Sequence, residues 1–249
     1  MQWLTVSCYY KNRILVILLI KGVMKMGNYY SEKLNSSKLV EVYQTKIERV
    51  KQYFHHEIDF VGSRLTGSEK VLELGAGYGR IIKELAPLAG SVVGIDISKD
   101  SVLLGKEYLK NCLNCTIEVM DVHQMTLEPD FDVVICLQNG LSAFKGQDEK
   151  LVQEALGVLK KDGTAYFSSY SAKFWDCRLA WFQEQADKGL LGEIDFDKTK
   201  DGEIVCFDGF RATTTTPEDM KRLGEWSGYP YQIVEVDESS IFLVIEKTN

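Results

Sequence analysis

The fold of this chain is decided by one stretch, Val71-Leu72-Glu73-Leu74-Gly75-Ala76-Gly77-Tyr78-Gly79-Arg80. The apolar residues at its start predict a short buried strand. The three glycines that follow let the backbone turn tightly and approach a ligand closely at the amino terminus of a helix. The stretch therefore predicts a strand, a ligand-binding loop and a helix, in that order.

A dinucleotide-binding loop is the first alternative for these glycines. Its fingerprint places a third glycine or alanine where the helix packs closely on the strand. Arg80 occupies that position, and the glycine comes one residue earlier, at Gly79. An NAD-dependent oxidoreductase would need a bulky charged residue at a close-packing site, so the pattern disfavours this alternative.

Acidic residues follow the next two predicted strands. Asp96 comes directly after a strand at 91–95, about twenty residues beyond the loop, where a carboxylate binds ribose hydroxyls in several nucleotide-binding families. Asp121 follows a strand at 116–120. This spacing predicts a nucleoside ligand without choosing its type.

With Glu73 at the strand end, the pattern Glu73-x-Gly-x-Gly-x-Gly resembles the first motif of the class I S-adenosylmethionine (SAM)-dependent methyltransferases of small molecules. Asp96, Met120-Asp121-Val122 and the strand Phe131–Cys136 match the family's later motifs in order. The resemblance covers roughly residues 69–170 motif by motif and the closing strands by order only. It implies SAM as the cofactor.

The resemblance also implies roles for individual residues. The glycine loop would cradle the methionine portion of SAM, and Glu73 would orient the loop or the amino group. Asp96 would hold the ribose and Ile97 would pack on the adenine, whose edge Asp121 and Val122 would recognise. The expected cofactor-binding residues are Glu73, Gly75, Ala76, Gly77, Gly79, Asp96, Ile97, Asp121, Val122 and Leu137.

Strands and helices alternate along most of the chain, which predicts a doubly wound α/β fold. We expect a seven-stranded, mostly parallel sheet that ends in an antiparallel hairpin, with strands at 231–236 and 241–246. One amphipathic lead helix is predicted over 37–58. Residues 171–215, after the fifth strand, interrupt the alternation and are predicted to form an insertion that acts as a substrate lid.

The first 26 residues differ from the rest and are expected to be an N-terminal extension. The favoured explanation is a gene start assigned too early, with Met24 or Met26 as the true start; an extra strand or helix is the alternative. The apolar run at 14–20 is far shorter than the ~20 residues that span a bilayer. Residues 27–249 are expected to form the methyltransferase domain of a cytoplasmic protein without a membrane partner.

Charge and cysteine content argue against other classes. With 29 basic and 36 acidic residues the net charge is -7, which disfavours a nucleic-acid partner. Cys112 and Cys115 form a CxxC, but no second pair or nearby histidine completes a zinc site. We expect ordinary reduced thiols and no bound metal.

Candidate catalytic residues follow the third and fourth strands. Methyl transfer from SAM is an in-line displacement, so the protein mainly aligns a nucleophile and excludes water. Gln138 and Asn139 come at the end of the fourth strand and could orient an acceptor, although Asn139-Gly140 is also a common turn dipeptide. His123 is a candidate base for a hydroxyl acceptor, or else a surface residue at the rim.

Candidate substrate residues lie in the insertion and before the lead helix. The insertion is rich in aromatic residues, and Arg178 and Arg211 could meet a substrate carboxylate there. A core or a dimer face is the alternative for this segment, so a monomer and a homodimer both remain open. Tyr30, with Tyr29, resembles tyrosines that close over SAM in small-molecule members of the family.

The sequence therefore predicts methyl transfer to a small-molecule amine, carboxylate or hydroxyl. The Asn/Asp-Pro-Pro-aromatic tetrapeptide of nucleic-acid amino methyltransferases is replaced by Leu137-Gln138-Asn139-Gly140. The order of lead helix, core and insertion resembles members that methylate small amines. A SAM-binding regulatory protein without catalysis would carry the same cofactor motifs and stays an alternative.

Overall fold

The computed structural model describes residues 36–144 and 147–248. The expected N-terminal extension, Tyr29 and Tyr30 lie outside the described residues. Within the described ranges, every helix falls short of the length and apolar character that crossing a membrane requires.

The helices and strands are named here in chain order. The helices are α1 Ser37–Tyr43, α2 Glu48–Gly62, α3 Arg80–Leu85, α4 Lys99–Tyr108, α5 Gly140–Ala143, α6 Asp148–Val158, α7 Trp175–Asp187 and α8 Pro217–Ser227. The strands are β1 Lys70–Leu74, β2 Ser91–Asp96, β3 Cys115–Val119, β4 Phe131–Cys136, β5 Leu159–Tyr170, β6 Ile204–Val205, β7 Arg211–Ala212, β8 Tyr231–Val236 and β9 Ser240–Glu246. Short 3-10 turns add Ala86–Leu88, Val122–Gln124 and Ala172–Phe174.

The main sheet has seven strands in the order β3-β2-β1-β4-β5-β9-β8. The first five run parallel, and β9 pairs antiparallel with both β5 and β8. The predicted mostly parallel sheet with a closing antiparallel hairpin is therefore confirmed. The strand order reverses between β1 and β4, and ligands of open α/β sheets bind beyond the carboxyl ends of the strands at such a point.

Each face of the sheet has its own apolar core. Leu72 and Val134 belong to a cluster with residues of α6 and α8, while Val71 and Ile135 belong to a second cluster with residues of α2 and α3. Successive side chains of a strand point to opposite faces. Glu73 therefore shares the α2 and α3 face with Val71.

The predicted single lead helix is wrong, because the structure has two helices, α1 and α2, separated by residues 44–47. The Thr45 hydroxyl accepts a hydrogen bond from the N–H of Ile47 and donates one to Glu184 of α7. A threonine side chain that bonds nearby backbone competes with helical hydrogen bonding. The break is thus held by a contact 139 residues away in sequence.

One smaller expectation is wrong. Cys112 and Cys115 are joined in a disulfide, which contradicts the expected reduced thiols. Within the insertion, the two-residue strands β6 and β7 pair antiparallel. Helix α8 begins with a reciprocal capping box between Thr216 and Asp219.

Candidate functional site

The glycine loop joins β1 to α3 at the point of strand reversal. Gly75, Gly77 and Gly79 all adopt left-handed backbone conformations, with φ of 74°, 56° and 83°. Residues with a Cβ are strained in this region, so the loop conformation requires glycine. The N–H groups of Gly75 and Ala76 both donate to the carbonyl of Ile95 at 2.9 Å, which fastens the loop to β2.

Asp96 lies at the end of β2, directly against this loop. Its carboxylate accepts hydrogen bonds from the N–H of Gly77 at 2.8 Å and from the N–H of Ser98 at 2.7 Å. Burial raises the pKa of Asp96 above its usual value, and these two hydrogen bonds oppose the rise. A carboxylate keeps further lone pairs for donors from a ligand.

The residues expected at the adenine follow β2 and β3. Asp121 caps the turn Val122–Gln124, accepting hydrogen bonds from the N–H of His123 and the side chain of Gln124. Ile97 is 52% exposed, whereas Val122 is buried. The N–H of Met120 donates to the carbonyl of Asp96, so the ends of both strands lie side by side.

Glu73 carries a buried carboxyl group on the same side of the loop as α2. Its side chain is 3% exposed, and its Oε2 atom has no hydrogen-bond partner among the described residues. Burial raises its pKa to about 8, although the Arg80 guanidinium lowers it.

Arg80 begins α3, where the glycine loop ends. Its Nε and Nη2 atoms are buried, and in the part of the chain that the structure describes they donate to nothing. The guanidinium lies over the rings of Tyr43 at 4.6 Å and Phe54 at 5.1 Å. Buried charged groups are costly unless they are paired.

An α-amino acid group complements the atoms left without a partner in the described chain, which are one carboxylate oxygen of Glu73 and two guanidinium nitrogens of Arg80. Its ammonium would donate to Glu73, and its carboxylate would accept from Arg80. SAM, the cofactor that the resemblance implies, carries such a group at its methionine end. The described residues therefore fit that cofactor.

The two side-chain amides predicted to be catalytic, those of Gln138 and Asn139, differ in their hydrogen bonding. Asn139 is 7% exposed, and its side chain bonds the carbonyl of Thr213 at 2.8 Å and the hydroxyls of Ser142 and Ser169. These bonds hold the end of β4 against the segment that precedes α8. These bonds give Asn139 a structural role, and its catalytic role stays a prediction.

Gln138, by contrast, keeps its side chain uncommitted. Its Nε2 atom is buried, and no hydrogen-bond partner for it exists among residues 36–144 and 147–248. Its backbone N–H donates to the hydroxyl of Ser168 at 2.8 Å and to Oε2 of Glu57 at 3.2 Å. A catalytic role for Gln138 stays a prediction.

Neither arginine predicted for the substrate lies free in a pocket. Arg178 is 1% exposed, and its terminal nitrogens donate to the carbonyls of Gly202 and Ala212, among others. Arg211 is exposed and forms a surface ion pair with Glu203 at 3.0 Å. Both residues are engaged within the insertion, and a contact with a substrate carboxylate stays a prediction for each.

His123 stays an untested candidate base. Its ring packs edge-on against Phe144, with 5.5 Å between ring centroids. Both ring nitrogens are buried, and the described chain supplies no hydrogen bond to either.

Sequence reasoning missed two residues of α2, Tyr53 and Glu57. Both are fully buried, and the Tyr53 hydroxyl and Oε1 of Glu57 have no hydrogen-bond partner among the described residues. Glu57 follows Tyr53 by four positions and precedes Val61 by four, on the apolar face of the helix. A glutamate on an apolar helical face was the signal that could have found it.

Comparisons with known proteins agree with this geometry. Residues 71–163 match a family model described as a methyltransferase domain. The ubiquinone biosynthesis O-methyltransferase of Glaesserella parasuis is 27% identical over 108 residues, which cover 41% of this chain and 45% of that protein. Its counterpart in Hydrogenovibrio crunogenus is 22% identical over 168 residues, covering 66% and 65%. The chain thus spans about half to two thirds of these relatives.

A solved structure shows the same fold. The N-methyltransferase NodS of Bradyrhizobium japonicum, in complex with S-adenosylhomocysteine, superposes with a TM-score of 0.57 at 16% identity, covering 89% of this chain and 99% of that one. The fold and the glycine loop define a Rossmann-like domain of the methyltransferase type. The matched family model and the relatives support a class I SAM-dependent methyltransferase.

Proposed function

We propose that this protein is an enzyme that binds SAM and transfers its methyl group to a small-molecule acceptor. The observation that carries the proposal is the set of buried polar atoms without a hydrogen-bond partner among the described residues at the glycine loop, namely Oε2 of Glu73 and Nε and Nη2 of Arg80. An amino acid group satisfies both, and SAM carries one. NAD carries none, so the same observation disfavours a dinucleotide.

The residues divide the work of holding the cofactor. Glu73 and Arg80 bind the ends of the amino acid group, and the glycine loop admits it closely. Asp96 binds the ribose hydroxyls, and Ile97, Asp121 and Val122 contact the adenine. Leu137 is buried directly after β4 and provides the apolar contact next to the methyl group of SAM.

When bound, SAM supplies an electrophilic methyl group on a positively charged sulfur. The chain has to place an acceptor in line with that methyl and exclude water. The carboxyl end of β4 borders the strand reversal, which supports a role for Gln138 in orienting the acceptor. The net charge of -7 and the small-molecule acceptors in the relatives' names favour a small molecule over a nucleic acid.

A turnover assay tests the proposal. The purified protein is incubated with methyl-labelled SAM and a panel of small amines, phenols and carboxylic acids, and S-adenosylhomocysteine is measured. We expect release that depends on one class of acceptor and is lost in Glu73→Gln. SAM binding without turnover on any acceptor would contradict the enzymatic proposal and favour the non-catalytic alternative.

A further inference from the structure

A buried polar cluster lies between α2, the carboxyl ends of β4 and β5, and the amino end of the antiparallel strand β9. Its members are Tyr53, Glu57, Gln138, Ser168 and Ser240, and we call it the α2 cluster. Ser168 and Tyr170 share one face of β5, and Tyr170 pairs with Ser240 of β9. The cluster therefore lies at the carboxyl ends of β4 and β5, the same end of the sheet as the glycine loop.

Glu57 is the charged member of the α2 cluster. Oε2 accepts the N–H of Gln138, while Oε1 has no partner within the described residues. Burial raises the pKa of Glu57 to about 7, against the lowering effect of the Ser168 and Ser240 hydroxyls and of Arg80. A buried carboxylate with an unused oxygen destabilises a fold unless a partner arrives.

Glu57 lies at the end of β4, apart from the two groups that border the glycine loop. Glu73 and Arg80 border the glycine loop at β1, whereas Glu57 bonds the residue that follows β4. Burial raises the pKa of Cys136, the last residue of β4, and the nearby carboxylates of Glu73 and Glu57 add to the rise. Glu57 and Glu73 therefore both lie near the end of β4.

Tyr53 lies one helical turn before Glu57 and supplies a second contact. Its hydroxyl is buried and has no hydrogen-bond partner in the described chain. Its ring packs against Tyr170 at 5.5 Å and Phe174 at 5.0 Å between centroids. These rings give the apolar part of a ligand a wall to pack on.

We propose that Glu57 is a catalytic residue that binds the ammonium form of a small primary or secondary amine and removes its proton before methyl transfer. The inference rests on the proposed function and names its acceptor class. An ammonium compensates the buried negative charge. A carboxylate acceptor would add a like charge, and a neutral hydroxyl would leave Glu57 uncompensated.

The titratable and charged groups around Glu57 allow this step. They are Tyr53 on α2, Glu73 on β1, Arg80 on α3, Cys136 on β4 and Tyr170 on β5. Arg80 is the cation among them, and the proposed function commits it to the cofactor carboxylate. An arriving ammonium lowers the pKa of Glu57 through its opposite charge, so Glu57 is ionised when the amine binds.

The step balances in atoms and charge. The carboxylate of Glu57 takes one proton from the ammonium, which frees the nitrogen lone pair. That pair forms the new N–C bond while the S–CH3 bond breaks, and its electrons stay on sulfur as a thioether. The methylated ammonium carries the charge that the sulfonium had, and Glu57 releases its proton to solvent.

The test uses the full chain and matched probes. Each of methylamine, ethanolamine and benzylamine is compared with its hydroxyl and carboxylate counterparts, in binding to the protein loaded with S-adenosylhomocysteine and in turnover with SAM. Wild type, Glu57→Gln, Glu57→Asp and Glu48→Gln are measured at slightly alkaline pH. Glu48 is an exposed glutamate at the start of the same helix and serves as the control.

We expect at least one amine to bind tighter than its counterparts and to be methylated. Glu57→Gln should weaken that binding tenfold to a hundredfold and lower kcat, as the loss of a charge-assisted contact predicts. Its SAM affinity should stay within about twofold, Glu57→Asp should recover part of kcat, and Glu48→Gln should match wild type.

Full amine binding and turnover in Glu57→Gln, or preference for the hydroxyl or carboxylate probes, would overturn the inference. The same holds if the SAM-binding wild type methylates none of the amines. Should Glu57→Gln lower the melting temperature, Tyr53→Phe provides the second variant, with a several-fold loss of kcat expected. Failure of the wild type to bind SAM would instead overturn the proposed function.

Discussion

The carboxylate of Asp96 accepts a hydrogen bond from the backbone N–H of Gly77 at 2.8 Å. This bond ties the end of β2 to the centre of the glycine loop, 19 residues earlier in the chain. The proposed ribose and amino acid sites are therefore fixed relative to each other before any ligand binds. Preorganisation of this kind lowers the ordering cost of binding.

The first prediction concerns Asp96. Asp96→Ala removes the proposed ribose contact and should weaken SAM binding by about 2–3 kcal/mol, since hydrogen bonds to charged groups contribute on that scale. Calorimetry measures the affinity, with Asp100→Ala as the control because Asp100 is exposed on α4. A near-normal affinity in Asp96→Ala would remove this residue from the ribose site.

The second prediction concerns the centre of the loop. A Cβ at position 77 would lie 2.7 Å from Cδ2 of Leu39, and the backbone there has a φ of 56°. Gly77→Ala should cost about 1–2 kcal/mol of stability, mostly from the left-handed backbone, because the Leu39 methyl can move.

Gly157→Ala is the matched control for this loop substitution. Gly157 lies within α6, and nothing approaches its added Cβ within 4 Å. Alanine is the better helix former, so stability should rise by up to about 1 kcal/mol. Denaturant unfolding measures the free energy of unfolding of Gly77→Ala and Gly157→Ala. Equal changes in the two variants would contradict the backbone strain assigned to the loop.

The third prediction is a pH dependence of the ligand-free protein. Glu57 and Glu73 have pKa values raised from 4.5 to about 7 and about 8 in the fold. The folded state therefore binds protons more tightly than the unfolded chain, and the free energy of unfolding should fall as pH rises from about 5 to 8.

Glu57→Gln should flatten the part of this slope below pH 7, by up to about 3 kcal/mol, which is what a shift from 4.5 to about 7 represents. Glu48→Gln should keep the wild-type slope. Chemical unfolding at several pH values measures both. An unchanged slope in Glu57→Gln would mean that this carboxyl is not held protonated by burial.

The fourth prediction separates two neighbouring amides. Asn139→Ala deletes a buried hydrogen-bond network and should cost about 2–3 kcal/mol of stability. Gln138→Ala should leave stability nearly unchanged and lower kcat/KM for methyl transfer. Unfolding and turnover measured side by side would contradict these roles if the two variants behaved alike.

Most of the sheet could be predicted from sequence because strand and helix periodicities are local signals. Phe131–Cys136 has the predicted bounds, and Tyr231–Val236 pairs as predicted with β9. The break between α1 and α2 could not be predicted from sequence, because Thr45 is hydrogen-bonded to Glu184 of a helix that is distant along the chain. Local patterns do not carry such tertiary contacts.

The site divides in the same way. The glycine loop and Asp96 were predicted because glycines at a strand end and an acid after the next strand form a spaced pattern. The hydrogen bonds of Arg178 could not be predicted, because its carbonyl partners lie 24 to 35 residues away in the sequence and no motif marks them. Glu57 was missed because a single glutamate in a helix usually faces solvent, and its burial depends on the packing of α2 on the sheet.

Calorimetric titration of the purified protein with SAM, S-adenosylhomocysteine and NAD in parallel tests the cofactor assignment. We expect tight binding of the first two, loss of that binding in Arg80→Ala, and no binding of NAD. If the folded protein binds neither SAM nor S-adenosylhomocysteine, or prefers NAD, the cofactor assignment is contradicted.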